Sequence, residues 1–186
     1  MRRRLLLLAL AVAAAASTAR AETFLTQGQA MAEAFPGARL ERRAFALTPE
    51  QAKRIETRAK SRLASRLVTA HLAWRGDTLE GVGFVDRRVV RTMPGVFLIV
   101  VLPDGTVRRV EVLAFHEPPD YLPLPRWRAR LAGERLDERL WPGRDVRPVA
   151  GATLTTRAVT EAVRVALATW EVLLAPTLAR PAAGAR

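Results

Sequence analysis

The chain has 186 residues, a formal charge of +12 and no cysteine. Thiol catalysis, thiolate metal sites and disulfides are therefore excluded, and two histidines, His71 and His116, are too few for a histidine-rich metal centre. The basic excess favours an anionic partner, but the arginines are scattered in the body of the chain, which argues against nucleic acid.

Arg2, Arg3 and Arg4 precede an unbroken apolar run from Leu5 to Ala16, and Ala19-Arg20-Ala21 has the small-x-small pattern that signal peptidase accepts. The run is shorter than the roughly 20 residues that span a bilayer as a helix. Residues 1–21 are thus expected to be a cleaved signal peptide, with the protein exported. Its removal would take 21 of the 186 residues and four arginines, leaving 165 residues at charge +8. That length suits one domain with one sizeable core.

Residues 22–65 read as an N-terminal helical and extended segment. Gln27 to Ala34 can form a short helix ended by Pro36-Gly37, and Ala38 to Leu47 alternates loosely as a strand or arm. Thr48-Pro49-Glu50-Gln51 is a helix start, with Thr as cap, Pro in the first turn and Gln three residues on; the helix should run to about Lys60 on the surface.

Residues 66–175 read as the core of the domain. Leu67 to Trp74 places Val68, Ala70, Leu72 and Trp74 on one face by alternation, and Leu79 to Val90 follows after a turn. Gly81 and Gly83 inside that strand mark a bulge or the close approach of another group. Val96 to Leu102 is apolar throughout, as expected of a strand covered on both faces, and Pro103-Asp104-Gly105 turns it back into Thr106 to Ala114. After a proline-rich loop from His116 to Pro125, short helices are expected at 126–131 and 134–140. From about Thr155, Ala158, Val159, Ala162, Val163, Ala166, Leu167, Trp170 and Leu174 recur at helical spacing. Pro176 should stop this helix, and 176–186 should be a disordered tail. The fold expected is α+β, a single domain in which an antiparallel sheet has helices packed on it.

The stretch that carries chemistry is Val149-Ala150-Gly151-Ala152-Thr153-Leu154-Thr155-Thr156, just before the long helix. A helix start offers unpaired N–H groups and the positive end of its dipole, which suit a phosphate; Gly151 and Ala152 let a ligand approach, and three threonine hydroxyls lie within four residues. Ordinary helix capping accounts for the same residues. Elsewhere His116, Glu117 and Tyr121 share the proline-rich loop. Tyr121 suits either stacking on a ring or pinning the loop, while Trp127, Trp141 and Trp170 read as core anchors and His71 as a surface residue. No Ser/His/Asp set or activated nucleophile is visible that would make an independent hydrolase.

Gly151-Ala152-Thr153-Leu154-Thr155, followed by Arg157-Ala158-Val159, resembles the FMN-binding domain family, which includes the periplasmic flavin-carrying subunits of the Rnf complex and of sodium-pumping NADH:quinone oxidoreductase. The similarity covers residues 81–174. Glu117-Pro118-Pro119-Asp120 resembles the family's Glu-Thr-Pro-Gly loop. The resemblance implies FMN as cofactor at Gly151, Ala152, Thr153, Leu154, Thr155 and Thr156, with Glu117 near it, and a periplasmic electron-transfer role beside a soluble or membrane-bound redox partner; Tyr121, in the same loop as Glu117, is the candidate to stack on the flavin ring. It also implies that Thr153 carries FMN through a phosphoester installed by a separate flavin transferase. The family's leading Asp falls on Arg147, with Asp145 two residues earlier, and its Ser/Thr on Ala150. Flavin held without a covalent bond, its phosphate paired with Arg147, is the alternative attachment. A flavin-free accessory module of the same fold is the alternative function.

Overall fold

A computed structural model describes residues 24–178. The expected signal peptide and residues 179–186 of the expected tail lie outside the described residues. In chain order the elements are α1 (Gln27–Ala34), β1 (Arg39–Ala46), α2 (Pro49–Ala59), β2 (Leu67–Arg75), β3 (Thr78–Val89), β4 (Pro94–Val101) and β5 (Val107–Phe115). A 3-10 turn (Pro119–Tyr121), α3 (Pro125–Ala129), α4 (Thr153–Thr169), a π-helical turn (Trp170–Leu174) and α5 (Ala175–Leu178) follow. The five strands pair in sequence order, every pair antiparallel. This is the expected α+β fold. Among the described residues no helix is long and apolar enough to cross a membrane.

Strand alternation divides the core between the two faces of the sheet. Ala70 and Leu72 of β2, Val82 and Phe84 of β3, and Phe97, Ile99 and Val101 of β4 pack with Ala158, Val159, Ala162, Val163, Ala166 and Leu167 of α4. On the other face Ala73, Leu98 and Val100 meet Ala30, Met31, Ala34 and Phe35 from α1 and its end. The apolar run of β4 is thus explained by burial on both sides. Gly81 and Gly83 answer to α1: a Cβ would fall 2.2 Å from Phe35 Cζ at the first and 2.4 Å from Met31 Sδ at the second. The close approach is made by core side chains.

Helices α1 and α2 each start on a complete capping box, Thr26 with Gln29 and Thr48 with Gln51. Helix α2 is a surface helix with one buried stripe, Ala52, Ile55 and Ala59, set against Val165 and Ala168 of α4.

Three expectations are corrected. Residues 134–140 form no helix. Asp137 Oδ1 accepts from the N–H groups of Arg139 (2.7 Å) and Leu140 (2.8 Å), and the fully buried Arg164 guanidinium takes the carbonyls of Asp137 (2.6 Å) and Leu140 (3.0 Å). The main-chain groups a helix would pair internally are bound elsewhere. Pro176 does not stop the last helix, which continues to Leu178. In an α-helix its ring would crowd the carbonyl four residues back; the preceding π turn, in which Ala175 N–H reaches Trp170 O, widens the helix at that point. His71 is half-buried and has a buried Nε2 without a partner, since it faces the α1 side of the sheet.

Candidate functional site

Helix α4 begins two residues earlier than its apolar spacing suggests, at Thr153. Val149 to Ala152 form a tight turn closed by Ala152 N–H to Val149 O at 3.0 Å, and Gly151 at its third position has φ +79°. A positive φ there is what a type II turn requires, and glycine takes it without strain. A Cβ at Gly151 would meet nothing within 4 Å, so the turn is open on that side.

The residue at the helix entry is Ala152 (φ −121°, ψ 24°), whose side chain has no oxygen to cap the first turn. Thr156 N–H pairs with Ala152 O at 2.9 Å, whereas the N–H groups of Thr153, Leu154 and Thr155 precede the first bond of the helix. The positive end of the dipole therefore faces outward uncapped, beside the exposed Gly151, Thr153 and Leu154.

The three threonines take different parts. Thr153 is exposed, and its hydroxyl makes one long contact, to Val149 O at 3.4 Å. Thr155 is buried and donates to the Tyr121 carbonyl at 2.6 Å. Thr156 is fully buried and donates to Thr153 O at 2.8 Å. Of the three hydroxyls only that of Thr153 faces solvent.

Two segments distant in sequence are tied to this turn. The Thr155 bond fastens the 3-10 turn, and the Arg91 guanidinium lies over the Tyr121 ring at 4.6 Å, which adds the β3–β4 turn. That turn is in turn fixed by Glu117, whose Oε1 accepts from the N–H groups of Thr92 (2.7 Å), Met93 (2.8 Å) and Arg91 (3.1 Å). These main-chain donors, Met93 foremost, hold the Glu117 carboxyl below its usual range against the opposing effect of burial. On the other side Trp127 is buried and donates from Nε1 to Arg147 O at 2.7 Å, anchoring α3 to the strand of chain that enters the glycine turn.

The sequence-derived residues thus fall into two groups. Gly151, Ala152, Thr153 and Leu154 form the turn and the helix start, and Arg147 is exposed four residues ahead of Gly151, lining a cavity with Trp127 and Leu131. Thr155 ties Tyr121 to the helix start and Tyr121 carries Arg91, whereas Thr156 bonds within α4 and Glu117 fixes the β3–β4 turn. Asp145 pairs with Arg139 at 2.9 Å. His116 Nδ1 lies 3.0 Å from Pro94 O, within the same loop cluster. Arg91 and the Trp127–Arg147 link escaped sequence reasoning, since neither lies in the glycine motif and only the folded chain brings them to it.

The turn, the proline-rich loop and α4 all fall inside one match: a family model described as FMN-binding domain covers residues 94–168. No curated protein is a significant match to the chain. The donor set fits the phosphate of that cofactor, with free N–H groups at a helix start, a glycine turn without side chains in the way and an exposed hydroxyl. Residues 94–168, from the first residue of β4 to within one residue of the end of α4, match the FMN-binding domain family, and the match implies FMN as the cofactor.

Proposed function

We propose that this is an exported electron-transfer protein that carries FMN at the start of α4, covalently bound through Thr153. The observation that supports the reading most is the division among the threonines. Thr153 offers an exposed hydroxyl at an uncapped helix start, while Thr155 and Thr156 are buried on main-chain acceptors. In the attachment the Thr153 oxygen bonds to the flavin-bearing phosphorus of a flavin dinucleotide, the P–O bond of its diphosphate breaks, a nucleoside monophosphate leaves and the hydroxyl proton is lost. A separate flavin transferase installs the bond, and the N–H groups of the first turn receive the phosphate charge.

When bound, FMN supplies the electron chemistry. The chain's own residues hold and orient it: Gly151 keeps the approach clear, and Tyr121 and Arg91 form an aromatic and cationic wall beside the turn. Export rests on the N-terminal sequence pattern of residues 1–21. A soluble or membrane-bound redox partner is the expected acceptor or donor.

Arg147 supports a second mode of attachment. It occupies the position where the family pattern has an acid, its side chain is exposed, and no carboxylate among the described residues pairs with it. Non-covalent flavin, its phosphate held by Arg147 and the helix start, follows from that arrangement.

Production with a flavin transferase, followed by absorbance before and after denaturation, tests the proposal. A yellow protein whose fluorescence survives a denaturing gel, and loses it in Thr153→Ala, supports covalent carriage. Colour lost on denaturation supports the Arg147 mode, and a colourless protein leaves the flavin-free accessory module.

A further inference from the structure

The ladder between β2 and β3 ends at Ala70 opposite Phe84, although both strands run on, β2 back to Leu67 and β3 forward to Val89. Where they part, the sheet is split over α4, and a cleft of about 170 Å³ occupies the gap. Its floor is Ala162, Val165, Ala166 and Thr169 of α4, and its inner wall includes Val68 and Phe84. Small side chains at 162 and 166 leave the space that a larger residue would fill. Exposed Ala64, Ser65 and Leu67 form the rim.

One polar group in this wall lacks a partner. Asp86 is 8% exposed; its Oδ2 accepts from Arg88 Nη2 at 3.0 Å, but its Oδ1 is buried and unbonded. A buried carboxylate oxygen without a donor is costly, and a site that supplies one recovers that cost. The hydroxyl on the floor, that of Thr169, already donates to Val165 O at 2.7 Å.

We propose that this cleft is a second binding site, which takes a small apolar molecule of about one six-membered ring carrying a hydroxyl, the hydroxyl meeting Asp86. The size follows from the volume, since a dry cavity of about 150 Å³ takes one benzene. The hydroxyl follows from the charges. Asp86 and Glu161 are balanced by Arg88, which pairs with both, and by Arg157, which pairs with Glu161, so no net charge draws an ammonium group. Burial raises the Asp86 carboxyl above its ordinary range, with Arg88 opposing. A hydroxyl both donates and accepts, and so satisfies the group in either ionisation state.

Ligand-observed NMR and thermal shift with phenol and benzene test this on the full-length protein. Phenol should bind about tenfold more tightly than benzene, the worth of one hydrogen bond to a buried acceptor. Asp86→Leu should remove the preference, and Ser65→Trp at the exposed rim should weaken both ligands even if the core variant fails to fold. Thr153→Ala should leave phenol binding unchanged, since Ala162 lies nine residues further along α4. Absence of binding to the wild type, equal binding of phenol and benzene, or indifference to Ser65→Trp would overturn the proposal.

Discussion

The Thr155 hydroxyl and the Tyr121 carbonyl, 34 residues apart in sequence, are joined by a partly buried hydrogen bond of 2.6 Å. The bond turns a helix-start threonine into a tether for the proline-rich loop. Thr155→Val keeps the volume and strands the carbonyl, with an expected loss of about 1–2 kcal/mol in urea denaturation. Thr155→Ser should recover most of it. Thr153→Val, at an exposed position, should change stability by less than about 0.5 kcal/mol.

Glu117 gives the loop cluster an acid sensitivity of known sign. Its folded-state pKa lies below the ordinary carboxylate value because Met93, Thr92 and Arg91 donate to the ionised form. The stability it contributes is therefore complete above the unfolded-state pKa and is lost as pH falls through the lowered folded-state value. Glu117→Gln should lower Tm at neutral pH and flatten the acid limb of the Tm profile. An unchanged acid limb would contradict the assignment.

Arg164 is fully buried on α4 and donates to the carbonyls of Ala59, Asp137, Leu140 and Arg58. It closes the C-terminal end of α2 and holds the 137–140 segment while stacking near Trp141. Arg164→Met should cost about 3 kcal/mol or more, because several buried carbonyls lose their donor together. Hydrogen exchange should quicken at the end of α2 and at Leu140 more than along α4 itself.

Gly151 meets no neighbour, so its sensitivity to substitution is conformational. At φ +79° a valine should cost about 1–2 kcal/mol, and an asparagine clearly less. FMN loading measured by absorbance should follow the same order, glycine above asparagine above valine.

Local rules made most of the scaffold legible. The capping pair Thr48 and Gln51, the turn at Pro103–Gly105 and the apolar run of β4 each specify their element from within a few residues. The failures share one cause, a partner remote in sequence. Residues 134–140 have helical composition, but Arg164 claims their carbonyls from 24 residues beyond Leu140. Pro176 reads as a stop until the π turn ahead of it is seen. At the site the motif resemblance singles out Thr153 among the three threonines, but the residues alone do not say which hydroxyl is exposed. The fold makes that distinction: Thr155 is bound to the facing loop at Tyr121 O, and Thr156 is buried on Thr153 O of its own helix.

Peptide mapping of the protein produced with a flavin transferase tests the central claim most directly. Trypsin cuts after Arg144 and Arg157 and resists the Arg147-Pro148 bond, so one peptide spans the glycine turn. A single FMN is expected on that peptide, fragmenting to Thr153 and absent from Thr153→Ala. FMN on Thr155, on Thr156 or on any other peptide would contradict it.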